Sequence, residues 1–281
     1  DHDANRFVMT LLAYDGVHVA VSGGPNPLGG WNVYEYDQET DYQKLSVWGD
    51  GYYFTANKFS GSKVYAVDKE AMIQGAASAD IQGFDLPGIA IGGFYSPQAL
   101  NAINDDLSSG PASIVYYADD AWPGVSFDHL KIWNIDVDWD SPNNSSISNP
   151  QILETTPFTS VFDNGSFSNL EQPGSPIEID AIQGTIMNQA QFRKFANYNS
   201  AVFNFVVDTD GSANETAGVR WYEIRQDSDS DSWYIFQEGT YTSPNGKHAW
   251  LASMGIDMNG NIAMGYSGTV SYTHLRAHET S

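Results

Sequence analysis

The stretch that decides the fold is Asp41–Glu70, DYQKLSVWGDGYYFTANKFSGSKVYAVDKE. Lys44–Trp48 and Tyr52–Phe59 alternate apolar and polar side chains, the period of a half-buried strand. Gly49-Asp50-Gly51 between them is a short-range hairpin signal. Ser60-Gly61-Ser62 then turns the chain into a third alternating run, Lys63–Asp68, rich in β-branched and aromatic residues. Such a meander leaves its apolar face uncovered when alone, so it needs like units to pack against.

The rest of the chain supplies them. Phe7–Tyr14, the turn Asp15-Gly16, Val17–Ser22, the loop Gly23–Gly30 and Trp31–Asp37 repeat the same order. A looser copy runs from Ile89–Phe94 through a helical insertion expected near Pro97–Leu107 to Ala112–Ala118 and Leu130–Asp138. A fourth comprises Ile179–Phe195, Ala201–Val207 and Val219–Arg225, with Trp233–Gln237 as outer strand. The last holds Ala249–Met258, the turn Asn259-Gly260 and Asn261–Ser267. Third strands match by type: VYEYD from Val33, VYAVD from Val64, IWNID from Ile132 and WYEIR from Trp221. Recurring meanders predict an all-β protein, a β-propeller of four-stranded antiparallel blades with about five blades or partial blades. A β-sandwich is the alternative, since it also uses many short alternating strands.

The propeller is expected as one domain over residues 1–270, cut at both ends. Ser271–Ser281 is basic and His-rich, resembles a translated sequencing adapter, and is set aside as a non-native tail.

With 35 Asp and Glu against 12 Lys and Arg, the net charge is −23. Repulsion from phosphate disfavours nucleic acid and anionic membrane surfaces as partners. The chain has no cysteine, which excludes disulfides, thiolate metal sites and cysteine nucleophiles. No apolar run reaches the length of about 18 residues that a membrane-spanning helix needs.

Taken together, DYQKLSVWGDGYYFTANKF, VYAVDKEAM, HLKIWNIDVDW, AGVRWYEIR and GIDMNGNIAMGYS resemble a group of uncharacterised secreted β-propeller proteins of marine and gliding bacteria. The resemblance implies an exported protein, extracellular or at the cell surface, with its export signal outside this stretch. It brings no established catalytic residues. Some members carry paired cysteines where this chain has none.

Ligand-binding candidates are Trp48 with Asp50, which a turn could place at a propeller face where loops converge on the axis, and Asp119 and Asp120 with Trp122, because paired carboxylates beside an aromatic suit sugar binding. Tight turns explain the same residues, since Asp before Gly serves the turn itself. Asp136 and Asp138 fall on one face of a strand by its period of two. Asp208 and Asp210, followed by Asn214 and Glu215, resemble the start of a calcium loop. Calcium is thus the one cofactor considered, with solvated acidic edges as the alternative. For catalysis, Arg193, Arg220, Tyr222 and Glu223 are the weak candidates, by analogy with sialidase-like chemistry. No complete motif of that kind is present, nor a Gly-x-Ser-x-Gly elbow.

The leading functional expectation is a non-catalytic, monomeric, exported propeller that binds a glycan or a cell-surface partner through its loops. The alternative is a glycoside hydrolase or polysaccharide lyase using axial carboxylates.

Overall fold

In a computed structural model of the chain, the first unit is a meander of β1 (Val8–Ala13), β2 (Gly16–Ser22) and β3 (Trp31–Tyr36), paired antiparallel in that order. The structure describes residues 1–14, 16–38, 41–58, 60–90, 96–104, 110–172, 174–211, 215–244, 246–269 and 276–280, the side chains of 164 and 276–280 excepted. Gly16 opens β2 at φ 141°, where a Cβ would sit 2.1 Å from the Tyr36 carbonyl oxygen. Only glycine lets the chain pass there.

The second unit is β4 (Lys44–Val47), β5 (Gly51–Thr55), β6 (Val64–Asp68) and β7 (Ile81–Phe84), again in sequential order. A short helix, α1 (Lys69–Gln74), is inserted between β6 and β7. The Asp68 carboxylate caps its first turn by accepting from Ala71 N, and Gly75 ends it in the left-handed conformation at φ 67°.

The third unit holds β8 (Gln98–Ala102), β9 (Ala112–Ala118) and β10 (His129–Asp136), with β11 (Ser146–Ile147) and β12 (Gln151–Glu154) both paired to β10. A separate hairpin of β13 (Leu170–Gln172) and β14 (Ser175–Ile179) follows. The fourth unit is β15 (Ala190–Lys194), β16 (Asn199–Asp208), β17 (Ala217–Gln226) and β18 (Tyr234–Tyr241). The fifth is β19 (Ala249–Ile256), β20 (Ile262–Gly268) and β21 (Arg276–Thr280).

First strands of neighbouring meanders meet at the centre. β8 and β15 pair in parallel, with Leu100 opposite Ala190, and fuse the third and fourth units into one curved sheet of nine strands. Ser46 Oγ on β4 donates to Ala99 O on β8 at 2.8 Å, and Ile256 N on β19 donates to Gln191 Oε1 on β15 at 3.1 Å. This is the expected propeller architecture: five meanders side by side, not two sheets stacked face to face.

The core lies between the meanders. Val17, Val19, Tyr34 and Tyr36 of the first pack with Tyr52, Phe54, Val67 and Met72 of the second. A larger cluster joins the second, third and fourth through Trp48, Tyr117, Trp133, Phe192 and Phe205.

Two local expectations change. Gln98–Ala102 is the strand β8, not part of a helix, and the helix lies at Lys69–Gln74. Ile179–Phe195 is not one strand, since β14 ends at Ile179 and β15 starts at Ala190. Of the expected strand Ile89–Phe94, residues 91–94 lie outside the described residues, as do 105–107 of the expected insertion. In the set-aside tail, Arg276–Thr280 pairs antiparallel with β20. Among the described residues no helix is long and apolar enough to cross a membrane.

Candidate functional site

The centre, where the first strands converge, is lined by amides, hydroxyls and one amine. Lys44 on β4 is buried and its Nζ donates to Thr185 Oγ1 and Ile186 O, both at 2.5 Å. Burial pushes this amine down to about 7, because the charged form is desolvated. Gln98 Nε2 donates to Ser46 Oγ at 3.2 Å, and Asn101 Nδ2 donates to Gln189 Oε1 at 2.5 Å. Each of these donors is engaged, while Gln98 Oε1 is buried with no hydrogen-bond partner among the described residues. The axial carboxylates of the enzyme alternative are not among the residues described in these contacts.

A carboxyl pair forms instead between the second and third meanders. Asp50 sits in the turn from β4 to β5, and both its oxygens accept from Tyr53 Oη at 3.0 Å. Burial, more than any other influence, raises its carboxyl to about 6, and the charge of Asp136 adds to the rise. Asp136, the last residue of β10, is exposed. Trp139 follows in the loop and donates from Nε1 to Asp50 O at 2.8 Å. The close approach depends on Gly51, whose Cβ, if present, would meet Val67 O at 3.2 Å and Trp139 Cζ2 at 3.5 Å. The result is one carboxyl desolvated beside a phenol, with an indole bonded to its own backbone, and a second, exposed carboxyl near enough for its charge to act on the first.

Other sequence candidates are used differently. Trp48 is buried, its Nε1 donates to Gly110 O, and its ring packs on Phe192 at 4.7 Å. Trp122 is buried against Tyr116 and Tyr117. Asp119, also buried, accepts from Ser160 N, Ser160 Oγ and Ala121 N. Asp128, which the sequence did not single out, accepts from Asp120 N and Phe158 N. Oxygens of Asp119, Asp120 and Asp128 lie within 4.8 Å of one another. The Asp119 and Asp128 oxygens, however, are already engaged by N–H and O–H donors, so the cluster reads as a loop clamp.

Asp138 accepts from Ser141 N and Asn144 Nδ2, which hold its carboxyl below the usual range. Asp208 accepts from Asp210 N, Gly211 N and Thr216 N, while Asp210 accepts from Thr216 Oγ1. Asn214 lies outside the described residues. These carboxylates are committed to closing their own loops.

Arg220, Tyr222 and Glu223 share β17, the third strand of its meander. Arg220 donates to Tyr222 Oη at 3.0 Å and pairs with Glu238. Glu223, buried, accepts from Ser200 Oγ, Arg225 Nε and Gln237 Nε2. Burial raises Tyr222 to about 12. Arg193 stands apart on β15 and donates to Ile256 O. The four are not brought together around one open space.

No family model and no curated protein matches the sequence. Among solved structures, the chain is similar to the endo-arabinase from Bacteroides thetaiotaomicron, at 9% identity and TM-score 0.41, over 98% of this chain and 92% of that one. It is also similar to the alpha-L-arabinofuranosidase from Lactobacillus brevis, at 12% identity and TM-score 0.44, over 98% and 86%. A third likeness, to a xylan β-1,4-xylosidase from Bacillus halodurans, has 12% identity and TM-score 0.26 over 82% and 49%. All three are named as glycoside-cleaving enzymes, a finding that goes against the leading expectation of a non-catalytic binding module and agrees better with its alternative. The likenesses are remote ones, so any substrate and chemistry rest on the residues of this chain.

Proposed function

We propose that this chain is a carbohydrate-active hydrolase that cleaves a glycosidic bond with Asp50 as general acid, Asp136 as the partner carboxylate and Trp139 as a platform for a sugar ring. The observation that carries the proposal is the inequality of the pair. Glycoside hydrolysis needs two carboxyl groups with different duties, one holding a proton near neutral pH and one accepting it. Desolvation beside Tyr53 lifts Asp50 to about 6, and exposed Asp136 lies near enough for its charge to contribute to that rise.

Asp50 donates its proton to the glycosidic oxygen as the bond to the anomeric carbon breaks. Asp136 takes a proton from the water that attacks that carbon. Trp139 presents an aromatic surface to the C–H face of the ring.

The test is release of reducing sugar from a panel of arabinan, xylan and marine polysaccharides. Asp50→Asn and Asp136→Asn should each lower kcat by about 100-fold or more with KM little changed, the usual size of an acid/base contribution. Wild-type activity should fall above pH 6 as Asp50 loses its proton. A wild-type chain silent on the whole panel, or full activity in Asp50→Asn, sinks the proposal.

A further inference from the structure

A cavity of about 410 Å³ lies between the fourth and fifth meanders and is lined by Trp221, Gln237, Tyr241, Met254, Ile262 and Met264. None of these residues belongs to the Asp50–Asp136 pair, and the volume falls in the range of small-molecule sites. Its construction is specific. A Cβ placed on Gly239 would be 3.0 Å from Cε2, Cζ2 and Nε1 of Trp221 alike, so the indole lies flat on the glycine backbone. One ring face is therefore supported where no side chain stands.

Polar groups at the cavity are fixed as well. Gln237 Nε2 donates to Glu223 Oε2 at 2.7 Å, and the other Glu223 oxygen is held by Ser200 Oγ at 2.8 Å and Arg225 Nε at 2.6 Å. The amide of Gln237 is thereby oriented by a buried carboxylate. Tyr241, which lines the cavity, shares a 2.6 Å hydrogen bond between its Oη and Tyr266 Oη, which fixes its ring in place. A supported aromatic surface, apolar Met and Ile walls and an oriented amide make a two-sided environment. A saccharide ring has the matching chemistry, with a C–H face for the indole and hydroxyls for the amide.

We infer that this cavity is a non-catalytic glycan-binding site that stacks one ring of a polymer on Trp221. The choice of a glycan as occupant rests on the hydrolase proposal above; the cavity itself does not. It holds substrate near the enzyme without taking part in bond cleavage.

Native affinity electrophoresis in gels cast with arabinoxylan, arabinan or laminarin tests it, using the full chain carrying Asp50→Asn so that the gel polymer survives. Retardation by at least one polymer is expected, weakened roughly fivefold or more by Trp221→Ala, as the loss of one aromatic contact implies. Trp221→Phe should restore part of it, and Trp139→Ala should leave it in place. No retardation by any of the three polymers overturns the inference. So does retardation that disappears with Trp139→Ala yet ignores Trp221→Ala. The two proposals separate cleanly: Trp221→Ala with otherwise wild-type sequence should cleave a short soluble oligosaccharide at the normal rate. Trp221-dependent retardation in a chain that cleaves nothing would leave this site standing and remove the hydrolase.

Discussion

At the scale of single residues, Lys44 shows how the fold sets chemistry that composition hides. An amine in water stays charged to about pH 10. Buried at the centre, where it donates to Thr185 and Ile186 and lies over the Tyr42 ring, it drops to about 7. In the unfolded chain the same amine still holds its proton between pH 7 and 10, so unfolding takes up a proton there. Stability should therefore rise with pH across that window and lose the gain as pH falls back towards 7. Urea denaturation at pH 7 and pH 9 should show a gain of a few kcal/mol in wild type, from the size of the shift. Lys44→Met should flatten it, and an unchanged slope would mean the amine is hydrated. Asp50 follows the same logic with opposite charge. The sequence marks it as an Asp before Gly; its neighbour Asp136 lies in another meander, and no spacing in the chain announces the pair.

Single elements were legible wherever the side-chain alternation was strong. β5 and β6 lie over the runs Tyr52–Phe59 and Lys63–Asp68 that the sequence predicts. The structure nevertheless buries nearly every residue of both strands on both faces, so their aromatic and β-branched content marks them as much as the alternation does. β8 was not legible. Its sequence, QALNA, has no β-branched or aromatic residue, so local propensity favours helix, and pairing with β9 and β15 overrides it. α1 escaped for the converse reason: six residues are too few to show a helical period. A turn glycine gives the prediction at this scale. Gly16→Ala would push a methyl to 2.1 Å from Tyr36 O at a φ of 141° that side chains avoid. It should cost about 3 kcal/mol by forced backbone movement. Faster hydrogen exchange at Val17–Val21, confined to the first meander, is the measurement that checks it.

Across the whole molecule, the contact between meanders decides stability. Tyr117 of the third and Phe205 of the fourth stack at 3.8 Å, and Phe158 meets Phe205 edge-on at 5.0 Å. Phe205→Ala should lower the unfolding free energy by about 3–5 kcal/mol, the usual cost of emptying a buried aromatic site. Because the third and fourth units share one sheet, both should lose hydrogen-exchange protection together. Loss limited to the fourth would show that the two open independently. The amino-acid order alone determined the repeating meander, since alternation and turn glycines are local properties that each segment carries by itself. Only the tertiary structure decided that Asp50 meets Asp136 and that Trp221 lies on Gly239 beside a cavity. Asp50 and Asp136 come from different meanders and the cavity lies between two, so both depend on how the meanders pack. Trp221 reaches Gly239 through the register of β17 on β18, which no single stretch encodes.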